Sequence, residues 1–372
     1  MMEENSASVG IFQYMSTLAQ QYCALNLSQG IPDNIYDAQW NEAIKNASPH
    51  SWQYMPTAGK PLLIKYLLHA VYADAFSDAI IVSGCTEALL SALYAWADEG
   101  YREMVVAEPF YSYYPGLAML AHLTFVPVAM QQDNERLVID WEAMRQRVSA
   151  KSILLINSPH NPSGAVFTAH DWEALWQLQD ASGCAILFDD VYRHFNFTAL
   201  PPPDRLLAQR KVLVAGSVSK SLAATGARIG WLAGAAQPLA RAHLVHKHMS
   251  NCQPDLLQHA ALTLMQRIDA AALQQATQHY HQRALRLGDA LLSAGFSLIR
   301  PDGGHFIMAR HPGLPGHNSL EQAVFLTQRL GIAPLPLNDF FSRRTTGWLR
   351  FSFAVNDRAV DSACQRLLSS SL

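Results

Sequence analysis

Short, continuous apolar runs alternate with longer amphipathic stretches through the middle of this chain. From Asp78 onward, the segments Ala79 to Ser83, Glu103 to Ala107, Leu123 to Pro127, Ser152 to Asn157, Cys184 to Asp189, Val212 to Gly216 and Ile229 to Ala233 read as strands. Between them fall helical stretches such as Thr86 to Ala97, closed by Gly100, and His170 to Ala181, closed by Gly183. Unbroken apolar runs, rather than strict apolar–polar alternation, belong to strands covered on both faces. The pattern therefore predicts a seven-stranded, mostly parallel sheet flanked by helices. In such a sheet, ligands lie beyond the carboxyl ends of the strands, so the residues that follow each run carry the functional information.

Outside this block the texture differs. A helix is expected from Ile11 to Tyr22, followed by Leu25-Asn26-Leu27-Ser28-Gln29-Gly30-Ile31-Pro32-Asp33, where Gly30 and Pro32 mark a turn and Gly30 lets another group approach the backbone. The loop Gln53 to Pro61 opens an amphipathic helix over Leu62 to Ala73, with proline at its first turn. Beyond about residue 250 the chain reads as helices Leu256 to Met265 and Ala270 to Ala294. There follow Ser297-Leu298-Ile299-Arg300, the turn Pro301-Asp302-Gly303-Gly304, a strand His305 to Ala309, a helix Ser319 to Leu330, a strand Gly347 to Ala354 and a helix Arg358 to Ser369. A chain of 372 residues is too long for one compact core and fits a large domain plus a smaller one. Pro201-Pro202-Pro203 and Pro312-Gly313-Leu314-Pro315-Gly316 read as loops within domains, and no internal repeat is visible.

Composition narrows the function classes. A net charge of −3, without any Lys/Arg-rich block, argues against a nucleic-acid partner. Five scattered cysteines, Cys23, Cys85, Cys184, Cys252 and Cys364, argue against a disulfide framework and for a reducing compartment. The opening Met1-Met2-Glu3-Glu4-Asn5-Ser6 is acidic and polar where a secretory signal is basic and then apolar, and no apolar stretch approaches membrane-spanning length. A soluble cytoplasmic protein is expected. His243, His246 and His248 sit on a predicted helix without ligands at metal spacing, so a solvated face is expected there and no metal site. Met104, Met119 and Met130 read as core fillers.

The candidate chemistry gathers at the ends of the apolar runs. Val212 to Gly216 delivers Ser217-Val218-Ser219-Lys220, with Arg228 eight residues beyond the lysine. A lysine desolvated by apolar walls or placed near other cations titrates lower and attacks carbonyls. Ser217, Ser219 and Arg228 supply hydroxyl donors and a planar charged fork for a phosphate. A carbonyl trap beside a phosphate cradle suggests pyridoxal phosphate. Ser83-Gly84-Cys85-Thr86 lies between a strand and a helix, where backbone N–H groups face an anion above the sheet and Gly84 lets it approach. Asp189 ends a central strand, and a buried carboxylate needs a cationic partner; a protonated pyridine nitrogen is one. Tyr192 or Asn161 could donate to the phenolate oxygen of such a ring, and Tyr111 could stack on it. Arg350 stands among apolar neighbours in an alternating strand and calls for a carboxylate, either the protein's own or a substrate's.

In this order the motifs resemble the fold-type I pyridoxal-phosphate enzymes, and within them the class I/II aminotransferases, in the style of the branch that holds methionine aminotransferases and kynurenine/glutamine aminotransferases. The resemblance runs from Asn26-Leu27-Ser28-Gln29-Gly30-Ile31-Pro32-Asp33 to Arg350-Phe351-Ser352-Phe353-Ala354. It also includes Tyr54-x-Pro56-x-x-Gly59, Glu108-Pro109-x-Tyr111-x-x-Tyr114 and Asn157-x-Pro159-His160-Asn161-Pro162-Ser163. It implies an α/β fold with a large cofactor-binding domain over residues 46–255, an interdomain helix and a C-terminal small α+β domain over residues 256–372, and an N-terminal segment, residues 1–45, that joins the small domain. It further implies that Lys220 carries the Schiff base and shuttles the α-proton, that Asp189 pairs the ring nitrogen, and that Tyr192 and Asn161 meet the phenolate oxygen with Tyr111 over the ring. Gly84, Cys85, Thr86, Ser217, Ser219 and Arg228 would hold the phosphate, Tyr54 would reach the phosphate of a second copy in a homodimer with shared sites, and Arg350, with Gly30 and Asn161, would receive the substrate carboxylate. Ile31, His305 and Cys85 depart from the branch's usual residues and bear on substrate choice.

The resulting expectation is a ping-pong aminotransferase for an uncharged amino acid of the methionine, glutamine or aromatic type, acting with a 2-oxo acid. A C–S β-lyase or another carbanion enzyme using the same cofactor is the alternative. A non-enzymatic, pyridoxal-binding regulator is the remote one, since the chain has neither a basic recognition helix nor room for a DNA-binding domain before residue 27.

Overall fold

The computed structural model describes residues 10–33, 35–47, 53–198, 202–343 and 347–370. The acidic opening Met1 to Ser6 and the first proline of the Pro201 to Pro203 run lie outside them.

The apolar runs form one seven-stranded sheet, in the spatial order Asp78–Val82, Gly230–Gly234, Val212–Ser217, Ala185–Asp189, Ser152–Asn157, Glu103–Glu108, Thr124–Ala129. Gly230–Gly234 runs antiparallel to both its neighbours, and the other strands pair in parallel. Alternate residues of a strand enter different cores. Ile186 and Phe188 join the cluster that contains Trp172 and Leu175, while Ala185 and Leu187 join the one built on Leu89, Leu93 and Trp96. Both faces of the sheet are thus dry, which is why these strands read as continuous apolar runs. Each such fully buried aliphatic side chain contributes about 1.5–3 kcal/mol.

One consequence of this topology positions the site. Asn157 pairs in register with Asp189, Asp189 with Ala215, and Gly230 with both Ser217 and Val82. The carboxyl ends of the parallel strands and the amino end of the antiparallel one therefore meet on one rim. That rim collects the Ser83–Thr86 turn, Asp189, Ser217 to Lys220, and Arg228.

The C-terminal part forms a four-stranded antiparallel sheet in the order Ser297–Ile299, Phe306–Arg310, Leu349–Ser352, Leu335–Pro336. Its core takes Leu287 and Leu291 from the helix Ala270–Ser293, Val324 from Ser319–Arg329 and Val360 from Asp357–Leu368. Ile11, Met15, Leu18 and Leu27 join it from the N-terminal segment. Leu25–Asn26 pairs in parallel with Ile332–Ala333, so both ends of the chain build this smaller α+β unit. The buried Arg283 fastens the arrangement, bonding Asp33 at 3.1 Å and Asp357 at 3.0 Å.

Several local expectations need correction. The stretch after Pro61 is α-helical only to Tyr66 and continues as a π-turn, Leu67–Val71, before Ala73 and Asp74 take positive φ values of 48° and 57°. Met119 is 69% exposed and fills no core, whereas Met104 is buried and Met130 packs against the core. The helix Ala236–Met249 does not present His246 to solvent: that ring is fully buried against Glu87. Helices Asp37–Asn46 and Trp141–Arg147 and the hairpin Gln131–Asp133/Arg136–Val138 were not expected, because short polar elements carry little periodicity.

Candidate active site

Lys220 ends up where a charged amine is costly. It lies in the single-turn helix Val218–Ser221, which begins as its strand ends and is capped by Ser217. Its Nζ donates to the Gly30 carbonyl at 2.5 Å and stands 5.9 Å over the Tyr192 ring. Burial lowers its pKa to about 8, helped by the nearby Arg350 and Arg228 charges and opposed by Asp189. Gly30 can come this close because it has no side chain; a Cβ there would fall 2.4 Å from the Phe306 ring.

Asp189 is 6% exposed and makes no ion pair among the described residues. Tyr114 donates to Oδ2 at 2.9 Å, while Cys85 Sγ at 3.4 Å and the Val191 N–H at 3.3 Å approach Oδ1. Burial raises its pKa, against these donors and the Lys220 charge. Such a carboxylate is oriented and short of a cation.

Arg350 shows the opposite deficit. It is 1% exposed, with its guanidinium 3.7 Å from the centre of the Phe306 ring. Nη1 donates to Asn161 Oδ1 at 2.8 Å and Nη2 to the Ser28 carbonyl at 3.0 Å, whereas Nε has no partner among the described residues. No carboxylate lies within ion-pair distance of it among the described residues, and burial lowers its pKa to about 10, partly offset by Tyr192 and Tyr111. Leaving a buried charge without a counter-ion costs about 3–5 kcal/mol, so the site demands an anion here.

The turn expected to hold an anion is built on Gly84 and Arg228. Gly84 has φ +73°, and a Cβ on it would sit 2.3 Å from Arg228 Nη2. Arg228, itself left-handed at φ 51°, donates to the carbonyls of Ser83 at 3.1 Å and Thr225 at 3.2 Å. Gly230 packs directly on the Gly84 backbone. The helix Gly84–Asp98 therefore starts against the Arg228 guanidinium, and the first N–H groups of a helix are donors available to an anion.

A cavity of about 260 Å³ joins these parts. Gly30, Cys85, Thr86, Tyr111, Asn161, Asp189, Tyr192, Ser219, Lys220, Arg228 and Arg350 all line it. The structure does not place Ser217, Gly84 or Tyr54 on that wall. The Ser217 hydroxyl is buried and donates to Ser219 Oγ at 2.6 Å, Gly84 shapes the turn from behind, and Tyr54 is 85% exposed. His305 is buried beside Tyr192, the two ring centres 5.2 Å apart, with both nitrogens unpartnered among the described residues and its pKa pushed well down by burial. Ile31 lies at the mouth, 49% exposed. A larger depression of about 610 Å³ between Tyr66 and His281 gathers no comparable set of unsatisfied charges.

Sequence reasoning did not assign Tyr114 and Phe306 to the site. Tyr114 stands three residues after Tyr111, and the two rings meet edge to face at 5.6 Å, so its position in Tyr111-x-x-Tyr114 was the available signal. Phe306 shares the cavity wall with Arg350 from the neighbouring strand.

Fold and site define a transaminase: the chain belongs to the aminotransferase class I and II family, whose pattern matches residues 24–367. Among curated relatives, it is 28% identical to a probable N-succinyldiaminopimelate aminotransferase of Mycobacterium tuberculosis, over 96% of this chain and 95% of that one. It is 29% identical to the methionine aminotransferase of Escherichia coli, again over 96% and 95%. The solved structure of the Mycobacterium tuberculosis N-succinyldiaminopimelate aminotransferase superposes with a TM-score of 0.87 at 26% identity, covering 96% of each chain. That of the Escherichia coli methionine aminotransferase gives 0.85 at 25% identity, covering 97% of each. Relatives of such similarity carry different substrate names, so reaction class is shared among them and substrate is not.

Proposed function

We propose that this aminotransferase works with pyridoxal 5′-phosphate on an uncharged L-amino acid and a 2-oxo acid, as a homodimer with shared sites. The observation that carries this reading is the pairing of two unmet charges across one cavity, Asp189 without a cation and Arg350 without an anion. The residues present fit the cofactor. Thr86, Cys85, Ser219 and Arg228 would hold its phosphate, with Gly84 and Ser217 shaping the turn and the cap behind them. Asp189 would face the ring nitrogen, Tyr192 and the Asn161 amide the phenolic oxygen, and Tyr111 the ring face. Tyr54, too exposed to serve its own site, would serve the partner's phosphate. When bound, the cofactor supplies an electron sink for the charge left on the substrate's α-carbon.

The chain's own groups do the rest. The planar Arg350 guanidinium grips the α-carboxylate and thereby fixes which bond at the α-carbon faces Lys220. The Lys220 amine, with its pKa brought down to about 8, takes the α-proton at Nζ and returns it on the far side of the transfer. Because both half-reactions use one cavity, donor and acceptor take turns and the kinetics are ping-pong. Among the described lining residues the only cations are Lys220, Arg228 and Arg350, each already assigned, while Phe12, Leu89, Ile31 and Tyr113 supply apolar wall. That lining suits an uncharged side chain.

The test is a panel of amino donors against several 2-oxo acids, run after incubation with pyridoxal phosphate. A visible absorption band and turnover with methionine, glutamine or aromatic donors are expected. Protein that stays colourless would overturn the cofactor reading. Steady release of pyruvate and ammonia from a cysteine conjugate, without need of a 2-oxo acid, would replace amino transfer with β-elimination.

A further inference from the structure

The turn assigned to the phosphate is gripped from behind by a polar cluster around two buried side chains, Glu87 and His246, that the chemistry above does not use. Glu87 lies one turn into the helix Gly84–Asp98 and is 8% exposed. Its Oε2 accepts from the N–H of Ser83, the residue just before the turn, at 2.5 Å. Its Oε1 accepts from the Ser250 hydroxyl at 2.8 Å and lies 2.7 Å from His246 Nδ1. Because Arg228 holds the Ser83 carbonyl, this one residue is fixed through its N–H by a carboxylate and through its carbonyl by a guanidinium.

A helix cap would need only the first of those bonds. The cluster goes further. His246 is fully buried and its Nε2 has no partner among the described residues, so an imidazole has been desolvated to reach Glu87. Burial by itself would raise the Glu87 carboxyl; the bonds from His246, the Ser83 N–H and Ser250 outweigh it and leave it below its ordinary value. One turn earlier on the same helix, His243 stacks near His246 with centroids 6.4 Å apart, and its Nε2 lies 2.9 Å from Thr57 Oγ1. Thr57 stands in the loop that carries Tyr54. The helix Ala236–Met249 therefore contacts both the turn of its own site and the loop assigned to the partner copy's site.

We propose that Glu87 and His246 are positioning residues for phosphate binding, holding the Ser83–Thr86 turn in its anion-accepting shape, with His243 extending that hold to the Tyr54 loop. The proposal rests on the cofactor reading above, and its test separates the two. Apoprotein of the wild type, His246→Phe and His246→Gln is titrated with pyridoxal phosphate, with pyridoxal lacking the phosphate, and with inorganic phosphate, following tryptophan fluorescence.

His246→Phe is expected to weaken binding of pyridoxal phosphate and of inorganic phosphate by about tenfold, the scale of one charge-assisted hydrogen bond, and to leave pyridoxal binding unchanged. His246→Gln keeps a donor for Glu87 and is expected to recover most of the loss. Turnover at saturating cofactor should stay within about twofold of wild type, a split between binding and chemistry that a merely destabilised protein would not produce. A lowered melting temperature with unchanged phosphate affinity, or equal weakening toward pyridoxal, overturns the proposal. Should His246→Phe fail to fold, Glu87→Gln is read by the same criteria. Wild-type protein that binds inorganic phosphate but no pyridoxal phosphate overturns the cofactor reading alone, and the phosphate titrations then decide the positioning role.

Discussion

At the scale of single residues, the site is a set of charges placed where charge is expensive. Lys220 is expected to react as a free amine at unusually low pH. In apoprotein, its modification by an amine-directed reagent should rise with a midpoint near pH 8 rather than the ordinary 10.5, followed by mass spectrometry of the Lys220 peptide. The direction follows from the sign of the shift: a lowered pKa means that the neutral, nucleophilic form gains as pH passes 8 upward. Arg350→Ala should cut kcat/KM for every α-amino acid by about a hundredfold or more, since it removes one side of a buried charge pair, and Arg350→Lys should recover little because a point charge cannot replace the fork. Near-normal efficiency in Arg350→Ala would move the carboxylate site elsewhere. Lys220, Asp189 and Arg350 were legible as isolated charges set at the ends or in the middle of apolar runs. Tyr114 on Asp189 and His246 on Glu87 were not, because these partners lie 75 and 159 residues apart in the chain.

At the scale of elements, the rim depends on glycines that let strands and turns touch. Gly230 begins the antiparallel strand, and a Cβ there would come within 2.4 Å of the Gly84 carbonyl carbon, which is backbone and cannot swing aside. Gly230→Ala is expected to destabilise the apoprotein by about 1–3 kcal/mol through overpacking, read by thermal or urea denaturation, and to loosen pyridoxal phosphate binding with it. An unchanged midpoint would mean that this contact is slack. The seven strands were readable because each buries both faces and so repeats a simple apolar run. The short polar helices and the π-turn at Leu67–Val71 were not, since they are held by the neighbours they pack on and carry almost no period of their own.

At the scale of the whole molecule, the role proposed for Tyr54 would make each site a joint product of two chains. Co-expressed Lys220→Ala and Tyr54→Ala protomers should form hybrids in which one of the two sites is whole. That site should hold cofactor with wild-type tightness, while Tyr54→Ala homodimers hold it more weakly; equal retention in the two would assign Tyr54 to no phosphate. Exposure of 85% for a tyrosine in a loop tied to Lys60–Asp255 and to His243 is the observation behind this expectation. Among the described residues, no helix is long and apolar enough to cross a bilayer.

What could be read along the chain was what near neighbours encode: the mostly parallel sheet, the turns after its strands, and a lysine, a carboxylate and an arginine that stand beside apolar runs. Burial faces repeat with a short period, and a charge beside an apolar run stands out locally. What had to await the folded chain was which groups satisfy one another. The missing counter-ions of Asp189 and Arg350, the hold on Ser83 from two sides and the lining of the cavity arise from residues brought together by the path of the backbone, and no local pattern records that path.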